Sequence, residues 1–242
     1  MMKSMIILMA GLFVLNLQAA DYSETRSLRL DAGNLSVLVI DCGAGTLDVE
    51  GQAGLEEIRV QAEIVVNNTD GDKARKMVED YLELTLQKED DQAVLQSHRK
   101  DKGFSVSRLF DRNASLQVNL TVSVPPELKL EIDDGSGDAE ISRILNDITI
   151  DDGSGDLEIR NIQGDVNIDD GSGQIVLKDI KGNVAVDDGS GSLVINRVEG
   201  NVRIDDGSGD IVIDEVMGDV IIDDAGSGGV STDRISGRLI RH

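Results

Sequence analysis

The string Asp-Asp-Gly-Ser-Gly begins at Asp133, Asp151, Asp169, Asp187 and Asp205, each 18 residues after the last, and returns at Asp223 with Ala225 inserted before the glycine. A fixed short period restricts what such a chain can fold into. A unit of this length cannot bury its apolar side chains alone and must stack on its neighbours, which gives a solenoid.

Aligning the copies exposes five aliphatic columns. They run through Ala139, Leu157, Ile175, Leu193 and Ile211; Ile141, Ile159, Leu177, Ile195 and Ile213; Ile144, Ile162, Ile180, Val198 and Val216; Ile148, Val166, Val184, Val202 and Val220; and Ile150, Ile168, Val186, Ile204 and Ile222. Within units such as Asp165-Val166-Asn167-Ile168, apolar and polar residues alternate, the period of a strand buried on one face. Each coil is thus two short strands and two tight turns. One turn is the acidic segment; the other ends at Gly164, Gly182, Gly200 and Gly218, with Asn146 at the matching place. Glycine there is expected to supply a positive φ, which Asn tolerates best among the other residues. Strands of successive coils should pair at about 4.8 Å, turning equivalent residues into ladders. Residues 127–230 are therefore expected to form a regular parallel β-solenoid, in an all-β chain with one short helix.

Aromatic residues make up only 2% of the chain, so Ile, Val and Leu must fill a narrow core. Few aromatics with high charge can signal disorder, but registered β-branched columns argue against it. Lys3, the uncharged run from Met5 to Leu17 and Gln18-Ala19-Ala20 have the form of an export signal, too short to span a bilayer, with cleavage near Ala19 or Ala20. Residues 1–20 are accordingly read as a signal peptide, with a retained anchor as the alternative, and the mature chain as periplasmic or secreted. The single cysteine, Cys42, indicates neither an internal disulfide nor a lipid anchor.

Residues 21–126 are less regular and are expected to cap the solenoid's N-terminal end. Leu28–Leu30, Leu35–Ile40, Thr46–Val49, Ile58–Val66, Leu84–Leu86, Ala93–Gln96 and Leu116–Val124 read as strands, with a charged stretch from Arg99 to Arg112. Asp41-Cys42-Gly43-Ala44-Gly45 looks like a degenerate acidic turn. Asp70 can cap a helix from about Asp72 to Leu82 that carries Ala74, Met77, Val78 and Tyr81 on one face. Pro125-Pro126 marks the start of the regular repeats.

Irregular strands, a short helix, a strand ending in Val122-Ser123-Val124-Pro125, and units such as Gly153-Ser154-Gly155-Asp156-Leu157-Glu158-Ile159 together resemble the bacterial putative-adhesin family of domains of unknown function. The resemblance covers nearly the whole mature chain. It implies a single-stranded β-solenoid, exported or attached to the cell envelope, with no catalytic residues to carry over. The strict 18-residue spacing and the doubled Asp are this chain's own.

Charge is the second strong signal. Residues 131–228 hold 25 acids against six bases, a net −19 of the chain's −23. Such a surface repels nucleic acid and anionic lipid, so neither is expected as a direct partner. The Asp residues have two readings. They form turns and a solvated face, Asp side chains being good acceptors for nearby backbone N–H groups; alternatively, stacked carboxylates hold calcium, with Asp133 and Asp134, Asp151 and Asp152, Asp169 and Asp170, Asp187 and Asp188, and Asp205 and Asp206 supplying oxygen ligands. Counting from Ile168, Asp169 points outward and Asp170 inward unless Gly171 already turns the chain. The second Asp is expected to accept backbone hydrogen bonds from its Gly-Ser-Gly turn, with Ser154 and Ser172 in a polar ladder beside it.

Catalysis finds little purchase. His98 and His242 are the only histidines and read as solvent-exposed. Six equivalent acidic pairs signify a ladder rather than an acid and a base with different environments. The basic tail, residues 231–242 with Arg234, Arg238 and Arg241, is expected to fold over the last coil and pair with its carboxylates, leaving monomer and end-to-end assembly both open. The expectation is an exported, non-catalytic scaffold or binding surface at the bacterial envelope, with no cofactor and an envelope or extracellular partner. A calcium-stabilised extracellular module is the alternative, and a carbohydrate-active β-helix enzyme a distant one.

Overall fold

The structure is a computed structural model describing residues 22–100 and 114–242. The export signal and most of the charged stretch after Arg99 lie outside the described residues. In chain order the elements are β1 (Tyr22–Asp31), β2 (Val37–Ala44), β3 (Leu47–Gly51), β4 (Glu57–Asn67), α1 (Gly71–Tyr81), β5 (Leu82–Glu89), β6 (Gln92–Arg99), β7 (Ser115–Val124), β8 (Lys129–Ser136) and β9 (Ala139–Ile144). The repeats then give β10 (Ile148–Asp152), β11 (Leu157–Ile162), β12 (Val166–Asp170), β13 (Gly173–Ile180), β14 (Val184–Asp188), β15 (Gly191–Val198), β16 (Val202–Asp206), β17 (Ile211–Val216), β18 (Val220–Asp224), β19 (Val230–Ile235) and β20 (Leu239–Arg241).

These strands form two sheets of ten, ordered β1-β4-β7-β3-β9-β11-β13-β15-β17-β19 and β20-β18-β16-β14-β12-β10-β8-β2-β6-β5. From β8 to β17 every even strand pairs in parallel with the next even strand and every odd strand with the next odd one, the register of a β-solenoid. Ile150 pairs with Ile168, Asp152 with Asp170, and Ile159 with Leu177, each 18 residues on. All five aliphatic columns are buried between the sheets, and Ile175, Leu177, Leu193, Ile195 and Ile204 are fully sealed. Burial of a Val, Leu or Ile side chain stabilises by about 1.5–3 kcal/mol, repeated at each rung.

The turns hold a surprise. Gly164, Gly182, Gly200 and Gly218 do not have positive φ; that conformation falls instead on Arg143, Asn161, Asp179, Arg197, Glu215 and Arg234, with φ between 49° and 60°. The third aliphatic column lies three residues after the second, so strict alternation would point Ile162 outward. A left-handed residue at Asn161 restores its inward direction. Glycine is required at 182 for a different reason: a Cβ would lie 2.6 Å from Asp165 N and closer still to the Gly164 carbonyl of the coil before. In the acidic turn the second glycine, as at Gly155 (φ 146°), does adopt a positive φ.

The stack starts earlier in sequence than residue 127. β2 and β3 form a degenerate coil on β8 and β9, with Ile40 over Ile132 and Leu47 over Ala139. β6 and β7 then pair on the far side of β2 and β3, so that residues 37–51 sit between later segments of the chain. The antiparallel strands β5, β4 and β1 close that end. α1 covers it, burying Ala74, Met77 and Val78, with the Asp70 carboxylate accepting from Lys73 N at its first turn. At the other end the basic tail covers the last coil by continuing the stack, and its Arg234 and Arg238 pair with that coil's Asp214 and Asp219 as expected. β19 and β20 pair with β17 and β18 as one more coil.

Candidate functional site

The corner that repeats Asp-Asp-Gly-Ser-Gly separates its two carboxylates. Asp133, Asp151, Asp169, Asp187 and Asp205 are exposed and form an outward row, while Asp134, Asp152, Asp170, Asp188 and Asp206 are 0–2% exposed and form an inner one. The second aspartate of each pair from Asp134 to Asp206 keeps its inward parity because the turn begins only at the following glycine. A Cβ at Gly171 would lie 2.5 Å from the Gly153 carbonyl, so only glycine lets successive turns stack this closely.

Each inner aspartate makes the expected turn hydrogen bond. Oδ1 of Asp134, Asp152, Asp170, Asp188 and Asp206 accepts from the N–H of the serine two residues on, at 3.3, 3.0, 3.0, 2.9 and 2.9 Å. Ser154 is half-buried beside the row and Ser172 is exposed, their carbonyls accepting from Gly137 N and Gly155 N. Oδ2 of all five inner aspartates is buried without a partner. Two such charges at a strand spacing of about 4.8 Å repel by about 3.5 kcal/mol at an effective dielectric constant of 20. Burial, helped by carboxylates of adjacent coils and the outward row, pushes Asp152, Asp170 and Asp188 up to about 6. Burial does the same for Asp134, against hydrogen bonds from Ser136 N and the Cys42 thiol. Asp206 is raised by the same cause.

The inner row has ends the repeat alone does not announce. Cys42 pairs over Asp134 and Ser97 over Cys42, two uncharged residues in the carboxylate's place. Burial, with Asp134 beside it, pushes the Cys42 thiol up. At the other end the ladder slips by one residue: Asp205 pairs with Asp224, and Gly226 stacks on Gly207. Ala225 therefore takes the place over Asp206. The degenerate turn at Asp41-Cys42-Gly43 was the sequence signal for the first end; the inserted alanine was the signal for the second.

A second ladder, missed in the sequence, runs along the opposite corner. Asp147 Oδ1 accepts from Asp165 N, Asp165 from Asn183 N, Asn183 from Asn201 N, Asn201 from Asp219 N and Asp219 from Arg238 N, at 2.7–3.0 Å. These side chains satisfy backbone donors of the next coil. Exposed cross-coil ion pairs accompany them, Arg197 with Asp179 and Arg238 with Asp219 at 2.5 Å, and Arg234 with Asp214. These pairs hold Asp179 and Asp219 below the usual carboxylate range. His98 is half-buried, with Nδ1 3.5 Å from the Asp41 carboxylate and Nε2 3.9 Å from that of Glu83; His242 is exposed. Among the described residues no three His, Cys, Asp or Glu side chains converge as a metal-ligating group, and the two members of each acidic pair face opposite ways.

The Toastrack DUF4097 family matches residues 31–234. The chain belongs to that family. No curated protein matches it. The chain is similar to a putative cell adhesion protein from Clostridium sporogenes (11% identity, 91% of this chain and 100% of that one, TM-score 0.35). A putative lipid binding protein from Parabacteroides distasonis is similar at 16% identity, 91% and 96% coverage and a TM-score of 0.44. A putative adhesin from Bacteroides fragilis follows at 15% identity, 90% and 97% coverage and a TM-score of 0.31. Among the described residues no helix is long and apolar enough to cross a membrane.

Proposed function

We propose that the chain is an exported, non-catalytic scaffold whose outward acidic row presents an extended binding surface at the bacterial envelope. The observation that carries this reading is repetition without a break. Asp133, Asp151, Asp169, Asp187 and Asp205 stand at the same outward position of successive coils, exposed and in register. A catalytic centre needs groups whose environments differ, an acid beside a base or a nucleophile beside both; a uniform row suits a partner that spans several coils and carries complementary charge. Export is supported by Lys3 and the apolar run from Met5 to Leu17, followed by Gln18-Ala19-Ala20.

The test combines fractionation with capture. The full chain expressed in a bacterial host should lose its first 19 or 20 residues and leave the cytoplasm. The mature chain should retain an envelope component at low salt and lose it when Asp151, Asp169 and Asp187 are all changed to Asn. An uncleaved cytoplasmic chain, equal capture by the variant, or turnover in a glycan hydrolysis screen would each remove the reading.

A further inference from the structure

Five carboxyl oxygens are left over inside the stack. Oδ2 of Asp134, Asp152, Asp170, Asp188 and Asp206 meets no donor, and Oδ1 of each is already occupied by a serine N–H of its own turn. The row is shut at both ends by Cys42 and Ala225. The charged groups that act on it are all acidic: Asp133, Asp151, Asp169, Asp187 and Asp205 on its own strands, Asp138 of an adjoining turn and Asp224 in the last acidic turn; the uncharged Cys42 thiol donates to Asp134 alone. A buried carboxylate with no counter-charge must either gain a cation or lose its charge. Calcium takes six to eight oxygens, whereas each coil offers one unpartnered oxygen here, and no ligating group of three converges among the described residues. A proton needs only one oxygen.

We propose that the inner aspartates form a proton-binding row: each Oδ2 left without a partner is the seat of a proton, held inside the closed coil. The proton comes from solvent as the coil closes and returns when it opens, so at mildly acidic pH each inner carboxyl is a neutral acid inside the stack and an anion in the open chain. The direction in which burial moves Asp134, Asp152, Asp170 and Asp188 agrees with that placement. The inference concerns the inner row alone and stands whether or not the outward row binds a partner.

Potentiometric titration of the folded full chain tests it directly. Between pH 5 and pH 7 a carboxyl titrating near 6 releases roughly 0.8 proton, whereas an ordinary aspartate has lost nearly all of its own by pH 5. The variant Asp152→Asn/Asp170→Asn/Asp188→Asn keeps the shape and the Oδ1 acceptor, and it should release roughly two to three fewer protons than the wild type over that window. The outward set Asp151→Asn/Asp169→Asn/Asp187→Asn is the control for removal of three carboxylates from the same coils, and it should reduce the release by less than the inner set does. Carboxyl-carbon NMR of the wild-type chain gives an answer independent of the variants' folding: at pH 5 the inner aspartates should still show protonated signals. Equal proton release by wild type and inner variant, or inner carboxyls already ionised at pH 5, would overturn the proposal. So would a calcium-dependent rise in melting temperature that the inner variant abolishes, which would put a metal ion in the row.

Discussion

Changing a single inner aspartate to its amide should alter how stability depends on pH by an amount that follows from the geometry. Asp170 is 1% exposed, its Oδ1 accepts from Ser172 N at 3.0 Å, and its Oδ2 has no partner. Burial, then the Asp152 carboxylate, push it up to about 6, while an aspartate in the unfolded chain titrates near 3.9. A folded value above the unfolded one has a definite sign. The group's stabilisation is complete below about pH 4 and is lost as pH rises through 6. Two pH units at 1.36 kcal/mol each correspond to ~3 kcal/mol. Asparagine keeps the Ser172 acceptor and is neutral throughout, so the Asp170→Asn chain should gain ~3 kcal/mol on the wild type between pH 4 and pH 8. Removing the charge beside Asp152 and Asp188 acts in the same direction. Asp179 and Asp219, held low by their arginines, have the opposite pH dependence but contribute equally to both chains. Urea unfolding of both proteins at unit steps from pH 4 to pH 8 measures the difference. Parallel stability curves, or a variant that loses ground as pH rises, would show that Asp170 is not held neutral by burial.

Two further outcomes follow from the packing. Gly182→Ala should cost ~3 kcal/mol, because the new methyl meets the Gly164 carbonyl and Asp165 N, backbone atoms that cannot rotate away; an unchanged urea midpoint would mean that the coils are further apart than described. The Cys42 thiol, buried and raised by its surroundings, should resist alkylation in the native chain and react only at the rate of unfolding; rapid labelling under native conditions would place it outside the stack.

Residues with one dominant environment were legible before any coordinates. The columns headed by Ala139, Ile141, Ile144, Ile148 and Ile150 are buried as their period requires, because a one-residue slip would expose the whole set. Asp70 caps α1, and the second Asp of each pair accepts from its own turn, since both contacts lie within three residues along the chain. The glycines were harder. Gly182 was expected to carry a positive φ, but that role falls on Asp179, and Gly182 is demanded by the neighbouring coil. A turn glycine looks the same in sequence whether a dihedral angle or a close approach requires it. The ladder from Asp147 to Asp219 was likewise hidden, because each acceptor serves a donor 18 or 19 residues away.

By itself the sequence determined the 18-residue rung, the two-strand coil, the aliphatic interior and the acidic corner, since periodicity acts locally and is repeated until no other arrangement buries every column. Only the tertiary structure decided where the stack begins and how the inner aspartates live within it. Residues 37–51 lie between later strands, β6 and β7 on one side and β8 and β9 on the other, an order that depends on long-range pairing rather than local pattern. That insertion sets Cys42 over Asp134, as the slip at Ala225 ends the row at Asp206. Whether a carboxyl keeps its proton depends on the solvent and charges excluded around it, and those come from neighbouring coils.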